Sequence, residues 1–129
     1  MFARDRASQE AGMKIEAVEP GYAKISMVLQ PHMINGHETA HGGFIFSLAD
    51  SAFAFACNSR NVATVAQHCS ISYVSPGHLG ERLIAEAREA HLEGRFGIYD
   101  VTVQAEDGRA VAFFRGYSAA VRGSVIGED

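Results

Sequence analysis

The sequence places one carboxylate, Asp50, inside a run of apolar or small residues that extends from Gly43 to Cys57. A run of that length in a globular protein is typical of a buried helix. An ionised aspartate in such a helix costs free energy unless it is paired, hydrogen-bonded or facing a wet cavity. A carboxylate held this way can act as a general base or as a nucleophile. Asp50 is therefore the first candidate for a catalytic residue.

A His41-Gly42-Gly43 turn stands directly before this run. The first N–H groups of a helix lack intrahelical acceptors and favour negative charge, and glycine lets a ligand approach the backbone closely. The Gly42 N–H could therefore stabilise a developing oxyanion. A turn without catalytic function at the start of the helix would use the same residues. The Asp50 carboxylate could likewise be hydrogen-bonded to a neighbouring backbone group or serine and have only a structural role.

The residues His37-Glu38-Thr39-Ala40-His41 fit the zinc-protease pattern H-E-x-x-H. That pattern binds zinc only on a helix, where both histidines share one face. Asn35-Gly36 before it and Gly42-Gly43 after it disfavour a helix there, so we expect no metal site.

The elements that must position these residues can be followed along the chain. Residues 1–12 form an N-terminal segment in which a short helix is plausible. Alternating polar and apolar residues over Lys14–Glu19 and Tyr22–Gln30, joined by Pro20-Gly21, predict a β-hairpin. A polar loop over His32–Thr39 then leads into the helix.

The second half of the chain predicts antiparallel strands. Thr64–Val74 alternates, and four of its residues are expected on one face: Val65, Cys69, Ile71 and Tyr73. Glu81–Leu92 has high helix propensity, but a Glu93-Gly94 turn and a clear strand over Phe96–Ala105 follow it, which favours a strand. After the Asp107-Gly108 turn, Ala110–Val121 pairs back.

A helical wheel places apolar residues on every side of the central helix. Asp50 shares its face with Gly43, Phe46, Phe53 and Cys57, and the opposite side carries Ile45, Leu48, Ala52 and Phe55. A helix that is apolar all round must be wrapped by other structure. We therefore predict an α+β fold in which a curved antiparallel sheet surrounds one helix. A single domain over residues 1–129 would end in a flexible tail at residues 122–129.

Composition narrows the functional classes. The chain has 129 residues, a formal net charge of -4 and two cysteines. The negative balance argues against sequence-independent nucleic-acid binding, for which a basic stripe is expected. Cys57 and Cys69 lie in apolar segments and are typical of small core residues. With no signal-peptide pattern and an apolar run too short for a membrane span, a soluble cytoplasmic protein is expected.

Several motifs resemble those of the hot-dog-fold acyl-CoA thioesterases. They are Asn35-Gly36-His37, His41-Gly42-Gly43 and the run from Phe46 to Ala54, followed by Cys57-Asn58-Ser59, Ser75-Pro76-Gly77 and Phe114-Arg115-Gly116. The similarity extends in the expected order over residues 13–128. Within that family the chain resembles the branch of phenylacetic-acid degradation, the PaaI type.

The resemblance implies a role for each matching residue. Asp50 would be the catalytic carboxylate, Gly42 N–H would polarise the thioester carbonyl, Asn35 would position water or substrate, and His41 would shape the turn. The active site would form at a dimer interface, with Asp50 of one subunit facing the Asn35 and His41-Gly42 region of the other, and two dimers would form a tetramer. The substrates would be arylacetyl-CoA thioesters, and no cofactor is implied beyond the coenzyme A that the substrate carries.

Further substrate contacts are expected from Gly43, Gln67, His68, Phe46 and Arg115. Some relatives carry Ser or Thr near the positions of Gln67 and His68. Either Gln67 or His68 could orient a water molecule here, and the sequence does not choose between them. Phe46 could line an acyl pocket. Five arginines are candidates for the phosphates of coenzyme A: Arg82, Arg88, Arg109, Arg115 and Arg122.

Three other functions stay open on the sequence. A hot-dog hydratase or dehydratase would need a histidine paired with an acid, and His41 is close enough in sequence to supply it. A non-catalytic acyl-CoA sensor could share the fold, although a pure binder would gain from losing the Asp50 charge. A purely structural oligomer is the fourth interpretation.

Overall fold

A computed structural model describes residues 5–121 of the chain, and all structural statements refer to this part. The predicted tail at 122–129 and residues 1–4 of the predicted N-terminal segment lie outside it. The short helix α1 (Arg6–Glu10) comes first, followed by the hairpin strands β1 (Lys14–Glu19) and β2 (Tyr22–Val28). A turn of 3-10 helix (Pro31–Met33) then precedes the central helix α2 (Gly42–Cys57). Four further strands complete the chain: β3 (Thr64–Tyr73), β4 (Arg82–Glu93), β5 (Phe96–Ala105) and β6 (Ala110–Ala120).

The six strands form one antiparallel sheet in the order β1-β2-β4-β5-β6-β3. Tight turns explain the neighbours β1-β2, β4-β5 and β5-β6, and Gly94 and Gly108 occupy two of these turns at positive φ. The strand after α2 crosses to the far edge, where β3 pairs with β6. Helix α2 contacts every strand of the sheet. The predicted α+β hot-dog architecture is confirmed.

Strand β4 occupies the segment whose local propensity favours a helix. Its residues Leu83, Ala85 and Ala87 are fully buried and alternate with the half-buried residues Arg82, Ile84 and Glu86. The strand pairs with β2 on one side and β5 on the other. Tertiary pairing on both edges therefore overrides helix propensity, and the prediction of a strand at 81–92 is confirmed.

The sheet buries one side of helix α2, and the N-terminal segment covers the other side only in part. The buried residues of α2 are Ile45, Leu48, Ala49, Ala52, Phe53, Phe55, Ala56 and Cys57. Gly43 and Ser47 are exposed, and Asp50 is half-buried. Phe53 and Cys57 are buried and do not line the Asp50 cavity with Ser47 and Ala54; the Phe53 ring packs against Tyr99 and Phe114 of the sheet.

A β-bulge in β3 places Val65 on a different face of the sheet from the predicted one. Ala66 pairs with Ser118 and His68 with Tyr117, so Gln67 is an extra residue in this strand. The insertion reverses the alternation. Val65 therefore lies on the opposite face from Cys69, Ile71 and Tyr73. Within residues 5–121, no helix is long and apolar enough to cross a bilayer.

Candidate active site

His41 caps the N-terminus of α2. Its backbone is extended, with φ -63° and ψ 132°, and its side-chain Nδ1 accepts a hydrogen bond from the Gly43 N–H at 3.0 Å. Its carbonyl oxygen accepts from the Phe44 N–H at 3.0 Å. The cap satisfies two of the donors that a helix start leaves without partners.

The Gly42 N–H makes no hydrogen bond to any residue in the range 5–121. The cap uses the next two amides, so Gly42 presents the free donor of the first turn. The Tyr73 hydroxyl donates to the Gly42 carbonyl at 2.9 Å, and the Tyr73 ring packs against the glycine so closely that an added Cβ would lie 3.2 Å from it. Tyr73 therefore holds the free amide in place, a role that its sequence position did not indicate.

Asn35 organises the loop in front of the helix. Its side-chain Oδ1 accepts from His37 N at 2.8 Å, and from Thr39 N and Thr39 Oγ1 at 3.3 Å each. The Nδ2 group of Asn35 has no partner within the described chain. The amide oxygen thus fixes the turn, and the amide N–H groups are available for a ligand or a water molecule.

Asp50 opens onto a cavity of about 370 Å³ on the side of α2 that the N-terminal segment covers in part. Its walls are Asp5, Ser8, Ala11, Met13, Phe44, Ser47, Asp50, Ser51 and Ala54. No hydrogen bond or ion pair reaches the Asp50 carboxylate from residues 5–121. Burial raises the pKa of Asp50 above that of an ordinary aspartate, and the carboxylate of Asp5 raises it further. An unpartnered carboxylate with a raised pKa is well suited to accept a proton.

Gly42 and Asp50 do not meet within one chain. Gly42 lines a second cavity of about 370 Å³, between the helix start and the end of β3. The two residues are eight positions apart on one helix, which separates them by about 12 Å along the axis. The N–H groups of the first turn point out of the N-terminal end, away from Asp50. The two groups therefore cannot act on the same carbonyl from one chain.

The other predicted substrate contacts lie elsewhere. Gly43 donates its N–H to the His41 cap, and Phe46 packs edge-on against Phe114 with ring centroids 5.6 Å apart. Gln67 is the exposed bulge residue. The structure does not bring these residues to the Asp50 cavity.

His68 and Arg115 lie on the sheet face that points away from α2. The His68 ring lies 5.5 Å from the ring of Tyr117. Arg115 forms a two-pronged ion pair with Asp100, at 2.6 and 2.8 Å. Gly116, between Arg115 and Tyr117, faces Phe53 of the helix, so its two neighbours must face outward.

The candidate arginines for phosphate binding already have carboxylate partners. Arg82 pairs with Glu16 and Glu106, Arg88 with Glu86, and Arg109 with Glu81 and Asp107. Arg122 lies outside the described residues. A coenzyme A phosphate would have to compete with these acids.

The segment from His37 to His41 is a loop and not a helix. Glu38 has φ 65° in it, so the helical spacing that the zinc-protease pattern needs is not formed. Among residues 5–121 there is no group of three or more His, Cys, Asp or Glu side chains that could hold a metal ion.

Asp5, Ser8 and Ser51 are part of the Asp50 cavity, and sequence reasoning missed their role. Ser8 and Ser51 are 43 residues apart, yet their hydroxyl oxygens lie 3.0 Å from each other. No motif joins the N-terminal segment to the helix, so only the folded chain reveals the contact.

Comparison with known proteins identifies the family. The thioesterase superfamily matches residues 37–112. Acyl-coenzyme A thioesterase PaaI of Escherichia coli (strain K12) is 39% identical over 128 residues, which cover 99% of this chain and 91% of the relative.

Solved structures show the same relationship. The structure of E. coli PaaI, from the phenylacetic acid degradation operon, superposes with a TM-score of 0.95 over 96% of this chain and 90% of that one. A Thermus thermophilus protein has 39% identity and a TM-score of 0.88, covering 92% and 99% of the two chains. A Streptococcus mutans protein bound to acetyl CoA has 25% identity and a TM-score of 0.82, covering 86% and 90%.

Proposed function

This chain belongs to the thioesterase superfamily and is a hot-dog thioesterase, and from that premise we propose that it hydrolyses arylacetyl-CoA thioesters to the free acid and coenzyme A. The E. coli relative is an acyl-coenzyme A thioesterase from the phenylacetic acid degradation operon. The S. mutans relative binds acetyl CoA. These relatives support phenylacetyl-CoA and its ring-hydroxylated forms as the substrates.

The observation that carries the proposal is a pair of unpartnered groups on one helix. The Gly42 N–H at the start of α2 and the Asp50 carboxylate in its middle make no hydrogen bond within residues 5–121. Both groups are half-buried and each opens onto a cavity, so each can reach a bound ligand. One is a donor and the other an acceptor, as thioester hydrolysis requires.

The chemistry follows from these two groups. The Asp50 carboxylate removes a proton from water, whose oxygen attacks the thioester carbonyl carbon, or it attacks that carbon itself. The carbonyl oxygen becomes an oxyanion that accepts a hydrogen bond from the Gly42 N–H. The C–S bond then breaks, and the thiolate of coenzyme A leaves and takes up the proton that Asp50 removed from water. If Asp50 has attacked the carbon itself, an anhydride of Asp50 with the acyl group remains, and water hydrolyses it to the free acid and regenerates Asp50. The free amide N–H groups of Asn35 orient the water or the substrate.

The complete site takes residues from two chains. Because Gly42 and Asp50 of one chain are about 12 Å apart, the oxyanion donor comes from the partner of the chain that supplies Asp50. Strand β3 is an edge strand, and its residues Val65 and Tyr73 are about half exposed. An exposed edge with large apolar side chains is suited to pair with a second copy. Two such dimers would form the tetramer.

The Asp50 cavity is suited to the acyl group. Its apolar wall contains Met13, Phe44, Ala11 and Ala54. An aromatic ring and a thioether make favourable contacts with an aryl group. The acyl chain would enter this cavity, and the carbonyl would remain at the mouth beside Asp50.

A thiol-release screen across aryl- and alkyl-CoA thioesters tests the proposal. We expect arylacetyl thioesters to be the best substrates and Asp50→Asn to lower kcat by orders of magnitude. Asp107→Asn is the matched control, since Asp107 lies in an exposed turn, and it should retain full activity. Near-normal turnover by Asp50→Asn on every thioester would overturn the assignment. Hydration of enoyl-CoA by the same preparation would instead favour the hydratase.

A further inference from the structure

The N-terminal segment forms one wall of the cavity that holds Asp50. Asp5, Ser8 and Ala11 line it opposite the central helix. Asp5 also caps α1, because its Oδ1 accepts from the Ser8 N–H at 3.0 Å and its Oδ2 accepts from the Ser8 hydroxyl at 2.6 Å. The Asp5 side chain thus caps α1 and also lines the cavity that holds Asp50.

The direction of the hydrogen bonds can be assigned. A serine hydroxyl has one proton to donate, and Ser8 gives it to the Asp5 carboxylate. The 3.0 Å contact between the Ser8 and Ser51 oxygens must therefore be donated by Ser51. A chain Ser51→Ser8→Asp5 joins the residue next to Asp50 to a second carboxylate. Ser8 is only 2% exposed, so water does not readily replace these bonds.

We propose that Asp5 is a positioning residue for the thioesterase reaction, which anchors α1 over the Asp50 cavity through Ser8 and Ser51 and places a second negative charge at that cavity. The inference rests on the proposed function, since it assigns Asp5 to the same site. Asp5 acts through Asp50 and through the cavity wall, not on the thioester itself.

Among the side chains that interact with Asp50 in the described chain, Asp5 is the one that raises the pKa of Asp50 by its charge. Three titratable side chains in the described chain interact with Asp50: Asp5 from the N-terminal segment, Cys57 from α2 and Cys69 from β3. Burial raises the pKa of both thiols, that of Cys57 to about 12, so both are neutral at physiological pH. The Asp5 carboxylate, by contrast, opposes the ionisation of Asp50 by charge repulsion. A more basic carboxylate is the better proton acceptor.

The experiment is a pH profile of kcat/KM for wild type, Asp5→Asn and Glu10→Gln. Asparagine is as good a helix cap as aspartate, so Asp5→Asn removes the charge and retains an acceptor for the Ser8 N–H. Its amide NH2 would donate to the Ser8 hydroxyl oxygen instead of accepting from it. We expect its acid limb to move to lower pH, since Asp50 then loses its proton more readily. Glu10→Gln removes one charge from the same short helix, but its side chain is 75% exposed and absent from the cavity, so the wild-type profile should be retained.

A third variant separates the anchor from the charge. Ser51→Ala removes the hydroxyl that holds Ser8, and loss of one hydrogen bond changes a local equilibrium by about two- to tenfold. We expect KM to rise by that factor while the acid limb stays at the wild-type pH. An Asp5→Asn profile with an unmoved acid limb, or an equal movement in Glu10→Gln, would overturn the proposal.

A direct titration of the Asp50 carboxyl group tests the role of Asp5 without any substrate. The Asp50 carboxyl carbon can be followed by NMR in 13C-labelled protein and assigned with Asp50→Asn. Asp5→Asn should lower the midpoint of this titration, and an unchanged midpoint would contradict the role of Asp5. Absence of wild-type turnover on all thioesters would refute the proposed function alone, because the titration tests Asp5 separately.

Discussion

Replacing Gly42 by proline removes the proposed oxyanion donor with little other change. Gly42 is the first residue of α2, the position where proline is common in helices. The preceding residue, His41, has ψ 132°, which is the extended conformation that a following proline requires. Since the Gly42 N–H has no partner in the described chain, its loss breaks no hydrogen bond of the fold.

The expected loss of kcat in Gly42→Pro has two parts, the missing oxyanion donor and one steric contact. Loss of a single oxyanion-hole donor lowers kcat by about 10²- to 10³-fold. A Cβ at position 42 would also lie 3.2 Å from the Tyr73 ring, so some displacement of Tyr73 is expected. Gly42→Ala introduces the same Cβ and retains the N–H, so it measures this steric part separately.

Thiol release under saturating substrate measures kcat for both variants, and thermal unfolding reports on the fold. We expect Gly42→Pro to be about 10²- to 10³-fold slower than Gly42→Ala, with similar midpoints of unfolding. A folded Gly42→Pro protein as fast as Gly42→Ala would refute the assignment of this amide.

Three further variants test other parts of the account. Because the pKa of Asp50 is raised in the folded chain, its ionisation disfavours folding at neutral pH. Asp50→Asn should therefore raise the thermal midpoint at pH 7, and the gain should vanish below the ordinary aspartate pKa of about 3.9. Asn35→Asp retains the Oδ1 that fixes the loop but loses the free amide, so kcat should fall about 10- to 100-fold with an unchanged thermal midpoint. Gly116→Ala would place a Cβ 2.7 Å from the buried Phe53 ring and should cost about 1–3 kcal/mol in urea unfolding, whereas Gly36→Ala, with no atom within 4 Å, should cost far less.

The elements of the fold could be predicted because turn residues and alternation agree with each other. Glu81–Leu92 is the most demanding segment, since propensity and context point in opposite directions there. The Glu93-Gly94 turn and the clear strand after it favour a strand, and pairing on both edges confirms it. The site turn was also predictable, because glycines before an apolar helix leave a distinct pattern.

Long-range contacts could not be predicted from local patterns. The bulge at Gln67 adds one residue to an edge strand whose own residues are mostly exposed. The sequence therefore shows no alternation of buried and exposed residues from which the extra residue could be recognised. Arg115 is one of the candidate arginines for a substrate contact, and its pairing with Asp100 depends on the β5-β6 register, which no local pattern gives. The contact of Ser8 with Ser51 depends on how the N-terminal segment folds back.

The central claim is that each active site combines Asp50 of one chain with Gly42 of another. Asp50→Asn and Gly42→Pro should each be nearly inactive alone. After co-expression, about half of the dimers contain one chain of each kind, and each mixed dimer has one intact site out of two, so about a quarter of the wild-type activity should return. Mixed dimers that form and show no activity above the two separate variants would contradict the claim.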